Sequence, residues 1–314
     1  MGRSAGVLGM EQYRTTKAKG ILFCKGLMMG MADVIPGVSG GTIAFISGIY
    51  EHLIAAICSV QLKHATAVFK FIFGFWAPKV RNQSLKSLAE IQWHFFIPLG
   101  LGVVLAILSM AKIVPLFLKQ YPFYTYSLFF GLIVFSVTVP YRKIKHTVAN
   151  YALIGLFTVI MYLLLGTETS LTGSVNPLYI FISGSIAICA MILPGLSGAY
   201  ILVLMGQYVP VLEALHEKNF NVILPFVFGI AVGILSFARL LKWFLKKYHS
   251  ATMSGLTGIM IGSLRKIWPG NYSDSLELNS SAITAAVCLA LGGALLILAL
   301  EKISLTLKDP ESPV

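Results

Sequence analysis

Charge is what this chain has least of. Asp, Glu, Lys and Arg make up 11% of its 314 residues, against about 25% in soluble domains. Hydrophobic residues fill 57%. No soluble fold hides that much apolar surface, so soluble enzymes and nucleic-acid-binding domains are excluded and lipid is the solvent for most of the chain. Acids are scarcer still, 12 against 24 Lys and Arg, for a net charge of +12. That excess belongs to loops facing anionic cytoplasmic lipid. Cysteine is limited to Cys24, Cys58, Cys189 and Cys288, all in apolar stretches without C-x-x-C spacing. This argues against a disulfide framework or a zinc site. The first 20 residues lack a short apolar core followed by small residues, so a cleaved signal peptide is not expected. Paired carboxylates, metal-ligand clusters and nucleotide-binding loops are missing as well, and no metal or organic cofactor is expected.

What is present is a series of apolar windows of about 20 residues, the length of a membrane crossing. They lie near 92–112, 124–140, 148–166, 221–241 and 282–303, with a weaker one at 252–267. Two further apolar regions, 21–57 and 178–212, are too long for one span. Pro36-Gly37-Val38-Ser39-Gly40-Gly41 breaks the first and Pro194-Gly195-Leu196-Ser197-Gly198 the second. Proline and glycine interrupt a helix, so each region is read as two helical arms around a polar joint at membrane depth. If each is a re-entrant hairpin, the N-terminus, 61–90, 141–147, 242–250 and the C-terminus share one side and carry 17 of the 24 cations. The opposite side keeps Lys119, Lys218, Arg265 and Lys266. The positive-inside rule makes the first side cytoplasmic, both termini included. Segment 61–90 mixes Lys63, Lys70, Lys79, Arg81 and Lys86 with Phe69, Phe71, Phe73, Phe75 and Trp76, the pattern of a stretch lying on a leaflet.

The chain also repeats itself. Sliding 36–50 onto 194–208 gives seven identities in 15 positions, among them Pro36/Pro194, Gly37/Gly195, Ser39/Ser197, Gly40/Gly198, Gly48/Gly206 and Tyr50/Tyr208. Sliding 98–136 onto 225–263 gives 14 in 39, including Gly102/Gly229 and Gly131/Gly258, with Lys112 opposite Arg239. The expected fold is therefore an all-α polytopic membrane protein of two repeats, each a re-entrant hairpin plus three transmembrane helices. Three is odd, so the repeats should have inverted topology, as in secondary transporters. The expected organisation is a cytoplasmic N-terminus (1–20), repeat 1 (21–166) with its basic insert, an external linker (167–177), repeat 2 (178–303) and a cytoplasmic tail (304–314).

A helix that starts after Pro-Gly-x-Ser-Gly offers unpaired backbone N–H groups and the positive end of its dipole. Two such starts, with hydroxyls from Ser39, Thr42 and Ser197, suit a phosphate or carboxylate. Pro36, Gly37, Gly40, Gly41, Pro194, Gly195 and Gly198 shape the same joints, which serve equally as tight packing corners with serines capping their own helices. Charges inside apolar spans mark functional sites by default: Lys25, Asp33, Glu51, Lys112 and Arg239. Lys112 and Arg239 either hold a phosphate head group or snorkel to the interface. Asp33 and Glu51 either carry a coupling proton or sodium ion, cap a helix, or pair with Lys25. The G-x-S-x-G at 37–41 meets a nucleophile-elbow pattern, but a serine nucleophile needs a base within reach. His52, His64, His94, His146, His216 and His249 lie at span ends or in loops, so no enzyme is expected.

Met31 through Thr42, followed by Gly48-Ile49-Tyr50-Glu51, resembles the signature of the PopT-type bacterial undecaprenyl-phosphate translocases, once a membrane family of unknown function. Leu193 through Gly198 and Gly206-Gln207-Tyr208 resemble its second motif, and the likeness runs over roughly 20–305. The resemblance implies a multi-pass flippase of the bacterial inner membrane that returns a polyprenyl-phosphate lipid from the outer to the inner leaflet for peptidoglycan and other envelope polymers. From the residues alone, a secondary transporter or exchanger of a small soluble anion stays open. The aromatic stretch 121–141 either lines a lateral groove for a lipid tail or anchors the interface.

Overall fold

The computed structural model describes residues 15–34, 39–73, 78–110, 113–166, 176–272 and 279–306. Every regular element among the described residues is helical. The first half runs α1 (Thr16–Val34), α2 (Gly40–Ile46), α3 (Tyr50–Ser59), α4 (Leu62–Phe73), α5 (Pro78–Ala89), α6 (Trp93–Met110), α7 (Ile113–Gln120), α8 (Pro122–Ser136), α9 (Thr138–Tyr141) and α10 (Val148–Leu164). The second runs α11 (Pro177–Ile192), α12 (Gly198–Leu204), α13 (Tyr208–Glu217), α14 (Phe220–Lys247), α15 (His249–Ser263), a 3-10 turn (Pro269–Tyr272) and α16 (Ser280–Thr306). Among the described residues, four stretches (93–110, 122–141, 220–247 and 280–299) are long and apolar enough to cross a membrane, and up to six if each bent helix pair is one span. Leu108 (71% exposed), Phe228 (65%) and Leu295 (64%) face outward, an exterior that only lipid can solvate. The protein is a multi-pass membrane protein. The windows at 148–166 and 252–267 are occupied by helices of 17 and 15 residues, shorter than the standard crossing.

The two long apolar regions are interrupted twice each, once more than their Pro-Gly joints foretell. After α2 the chain turns through 116° into α3, and after α12 through 105° into α13. Both turns are the same Schellman closure. Gly48 N–H reaches Phe45 O and Ile49 N–H reaches Ala44 O, just as Gly206 N–H reaches Val203 O and Gln207 N–H reaches Leu202 O. Gly48 (φ 73°) and Gly206 (φ 65°) hold the left-handed conformation that closure requires. A side chain from the first helix of each half then takes the last exposed carbonyl: Lys25 Nζ donates to Ser47 O (2.7 Å) and Tyr179 OH to Met205 O (3.0 Å). The membrane-depth charge of Lys25 is thus spent on a helix C-terminus, where a cation is favoured.

The halves also pack alike. α1 lies along α6, and α11 along α14. The first pair meets where Gly26 and Gly102 face the backbone of Leu99 and Phe23, the second where Gly184 and Gly229 face the backbone of Phe226 and Phe181. Side-chain-free contact lets helices approach closely, the association mode expected in lipid. The third spans are exchanged: α8 packs on α16, and α10 on α15. Ile43, Phe45, Tyr50, Ile192, Leu241, Met253 and Ile297 join one buried cluster where the short helices meet the long ones.

Candidate functional site

The two joints touch at the centre of the molecule. Gly195 N–H donates to Thr42 Oγ1 (2.9 Å), Ser39 Oγ to Met191 O (3.0 Å) and Tyr50 OH to Ile192 O (3.2 Å). α2 therefore starts against the end of α11, and its N-terminal residues are locked to the second joint. Any Cβ on Gly41 would stand 2.8 Å from Ile192 O, so only glycine lets the backbones cross there.

The joints differ in what fills them. At the first, Asp33 Oδ1 accepts from Gly40 N–H (2.7 Å) and Ser39 Oγ from Gly41 N–H (3.1 Å). The protein's own carboxylate sits where an oxyanion was expected, and Ser39, Gly40, Gly41 and Thr42 are all buried. Of the roles weighed for Asp33, helix capping is the one visible in this conformation. At the second joint, Ser197 is the N-cap of α12 but makes no side-chain capping bond, and Met191 stands where the first half has Asp33.

A cavity of about 360 Å³ opens on this second joint, within the roughly 300–1,000 Å³ typical of small-ligand sites. Gly195, Leu196, Ser197, Ala199 and Tyr200 form one wall, Tyr126, Ser263, Lys266 and Tyr272 another, and Asp33 reaches it from α1. Lys266 Nζ lies 4.9 Å from the centre of the Tyr200 ring, a cation–π contact. Tyr272 stacks on Tyr126 with ring centroids 3.6 Å apart and anchors its hydroxyl on Lys266 O (3.0 Å). Burial, helped by the hydrogen bond with Tyr126, pushes the Tyr272 phenol above its ordinary range, so it stays a neutral hydroxyl. The lining offers one ammonium, two serine hydroxyls and several phenols around an apolar floor, with the Asp33 carboxylate engaged by the Gly40 N–H. That donor set suits an oxyanion attached to an apolar body. The ionisable side chains of the lining, besides its phenols, are Asp33 and Lys266.

Not all residues singled out in the sequence converge on this cavity. Gly195, Ser197 and Asp33 line it, and Pro194 and Gly198 flank that lining. Arg239 is exposed and donates through Nη2 to Val60 O (3.2 Å), the C-cap of α3. Glu51 Oε1 forms ion pairs with Lys143 Nζ and His249 Nε2, each at 3.6 Å, whereas Lys25 Nζ donates to Ser47 O. Pro36, Gly37 and Lys112 lie outside the described residues. Lys266, Tyr200 and Tyr272 were not anticipated. Lys266 follows α15 in a loop where the repeat aligns it with Val139, so no matched cation marked it. The aromatic stretch divides its work. Tyr126 faces the cavity, while Tyr121, Tyr124 and Phe129 line a nearly all-apolar groove of about 400 Å³ with Phe117, Leu128 and Leu289.

The model of the family described as undecaprenyl phosphate translocase-like matches residues 29–285. A polyprenyl-phosphate transporter of Vibrio cholerae is 39% identical over 262 residues, covering 82% of this chain and 80% of its own length. A polyprenyl-phosphate transporter of Staphylococcus aureus is 30% identical over 280 residues, covering 83% of this chain and 88% of its own. No solved structure matches the chain.

Proposed function

Because the chain belongs to the undecaprenyl phosphate translocase-like family, we propose that it is a transporter, not an enzyme, and that it carries undecaprenyl phosphate from the outer to the inner leaflet of the bacterial cytoplasmic membrane. The observation that carries this reading is the cavity at the second joint. Lys266, Ser197 and Tyr200 gather there around a joint whose N-cap serine makes no capping bond, while the Asp33 carboxylate on the cavity's edge is engaged by Gly40 N–H. A phosphate head takes charge-assisted hydrogen bonds from such donors. The apolar groove beside Tyr121, Tyr124 and Phe129 suits an isoprenoid chain that never leaves lipid.

Charge supports the direction proposed. With both termini and segment 61–90 on the cytoplasmic side by the positive-inside rule, Lys266 belongs to the opposite face, and the cavity opens toward the outer leaflet. The matched joints, the shared Schellman turns and the equivalent helix pairs support two inverted-topology repeats, 21–166 and 178–303, that would rock about the crossing to bring the head group inward. Ser39, Gly40, Gly41 and Thr42 would then form the inward-facing counterpart of the Pro194–Gly198 joint; Pro36 and Gly37 lie outside the described residues. A coupling proton or sodium ion has its candidate carriers in Asp33 and Glu51.

Leaflet-resolved transport of undecaprenyl phosphate in proteoliposomes tests this. Transport that needs the polyprenyl tail supports the reading; equal competition by inorganic phosphate with no effect of tail length would make the protein a soluble-anion transporter instead.

A further inference from the structure

A second cluster of charge lies at the far end of α2, away from the cavity. Glu51, the second residue of α3, receives Lys143 Nζ and His249 Nε2, both at 3.6 Å from the same oxygen, Oε1. Lys143 Nζ also sits 5.3 Å from the centre of the Phe45 ring. The side chains of Glu51, Lys143 and His249 are 51%, 46% and 43% exposed, so the cluster is not enclosed by protein. His249 is the first residue of α15, a 15-residue helix whose N-cap Tyr248 makes no side-chain capping bond. The positive end of that helix dipole adds to the local positive charge. Lys25, on Ser47 O four residues before Glu51, adds a third cation near the start of α3.

The arrangement parallels that at the cavity. There, Lys266, from the loop after α15, lies over Tyr200 of α12. Here, Lys143, from the loop after α9, lies over Phe45 of α2. Each half thus brings a lysine onto an aromatic ring of its own short helix. The two lysines are marked off by α2: Gly40 at one end meets Asp33 of the cavity wall, and Phe45 at the other meets Lys143. Five residues of helix separate those ends, about 8 Å at 1.5 Å per residue. The contacts of Thr42, Ser39 and Tyr50 with the second joint lie between.

We propose that Lys143 and His249 form a second station for a phosphate monoester, at the opposite end of α2 from the Lys266 cavity, and that Glu51 occupies it as a resident carboxylate until phosphate displaces it. On the reading given above, which this inference rests on, the station is where the head group arrives at the cytoplasmic side. The cluster carries two cationic or cationisable donors for one carboxylate. It can accept a dianion when Glu51 swings away, and it can expel that dianion when Glu51 returns.

Amine-specific labelling of the full chain in lipid nanodiscs, read one lysine at a time by mass spectrometry, tests this. The probes are geranyl phosphate, a water-soluble ten-carbon isoprenyl phosphate, and inorganic phosphate. Geranyl phosphate should protect Lys143 as well as Lys266. In Glu51→Gln the concentration giving half-protection of Lys143 should fall roughly tenfold, with that of Lys266 unmoved; in His249→Ala it should rise several-fold. Protection of Lys143 by inorganic phosphate at the same concentrations supports the station and assigns it to the phosphate alone, whereas protection by geranyl phosphate only assigns it to the lipid. Lys266 protected and Lys143 labelled as freely as without probe would overturn the station while leaving the transport reading intact. Neither lysine protected would overturn both. The wild-type arm needs no variant to fold.

Discussion

Gly195 gives its backbone N–H to the hydroxyl of Thr42 at 2.9 Å, a bond that joins residues 153 positions apart and ties one joint to the other. Both partners are buried, so neither has water to fall back on. Thr42→Val should leave the Gly195 N–H unpaired and cost about 1–3 kcal/mol. Thr42→Ser should stay close to wild type. Thermal unfolding in detergent, compared across the two variants, measures the difference.

Gly195 itself cannot be enlarged. Its φ is +85°, and a Cβ would stand 3.0 Å from Ser263 Oγ and 3.1 Å from Met260 Cα. Gly195→Val should therefore combine backbone strain with a side chain projecting toward the cavity wall, and should lose transport more completely than it loses fold. Gly100→Ala is the contrasting substitution, since nothing lies within 4 Å of that position. It should be neutral or stabilising by up to about 1 kcal/mol, the helix-propensity difference.

Lys266 and Arg239 make a discriminating pair. Lys266 lines the cavity, whereas Arg239 is held on the C-cap of α3. Lys266→Ala should weaken lipid-phosphate binding by roughly tenfold or more, at about 1.4 kcal/mol per factor of ten. Arg239→Ala should have the smaller effect on head-group affinity and act mainly on the anchoring of α3. Equilibrium binding of geranyl phosphate to the two variants gives the ranking; the reverse order would return the head-group role to Arg239.

Asp33→Asn should fold as the wild type, because an amide oxygen can still accept the Gly40 N–H, while Asp33→Ala should lose the cap at about 0.5–2 kcal/mol. If Asp33 carries the coupling ion, Asp33→Asn should transport without the wild-type dependence on ion gradient. Unchanged gradient dependence in proteoliposomes removes it from that role.

The α4–α5 hairpin has its own pH dependence. Lys63 donates to Glu90, with His64 Nε2 at 3.8 Å, and the hydrogen bond and charge of Lys63 hold the Glu90 carboxyl below its ordinary value. A depressed carboxylate pKa contributes stability that is present above the unfolded value and lost as pH falls through the folded one. The hairpin should stay closed at neutral pH and loosen only below the usual carboxylate range, about 4.3. Glu90→Gln should loosen it at every pH, read as faster amide hydrogen exchange over 62–89.

The joints were legible in the sequence because Pro, Gly and Ser recur there at one offset, and their physical roles follow from residue type. The second break in each region was legible in principle, through the matched Gly48 and Gly206, but a lone glycine in an apolar run does not say that its φ is positive. Arg239 and Lys112 stood out because the repeat set cation opposite cation. Depth along a helix, however, does not give the direction of a long side chain, and the Arg239 guanidinium turns to Val60. Lys266 escaped notice for the opposite reason. It lies in an ordinary-looking loop, and only the folded chain lays it on the ring of Tyr200, an element earlier in the sequence. Asp33 was visible as a charge in an apolar region, yet its partner seven residues on, Gly40, follows only from the folded chain.

The exchanged third spans bear on how the molecule comes into being. α8 is covered by α16 and α10 by α15, so the first half leaves the ribosome with two helices whose mates are not yet made. Gly131 of α8 waits for the backbone of Ala290, and Gly258 of α15 closes on Ile154. Insertion can proceed helix by helix, but the final docking joins segments far apart in sequence, the kind of step that slows folding. A lone half is an incomplete body, and two separately synthesised halves, cut between 164 and 177, should find each other in the membrane and interlock.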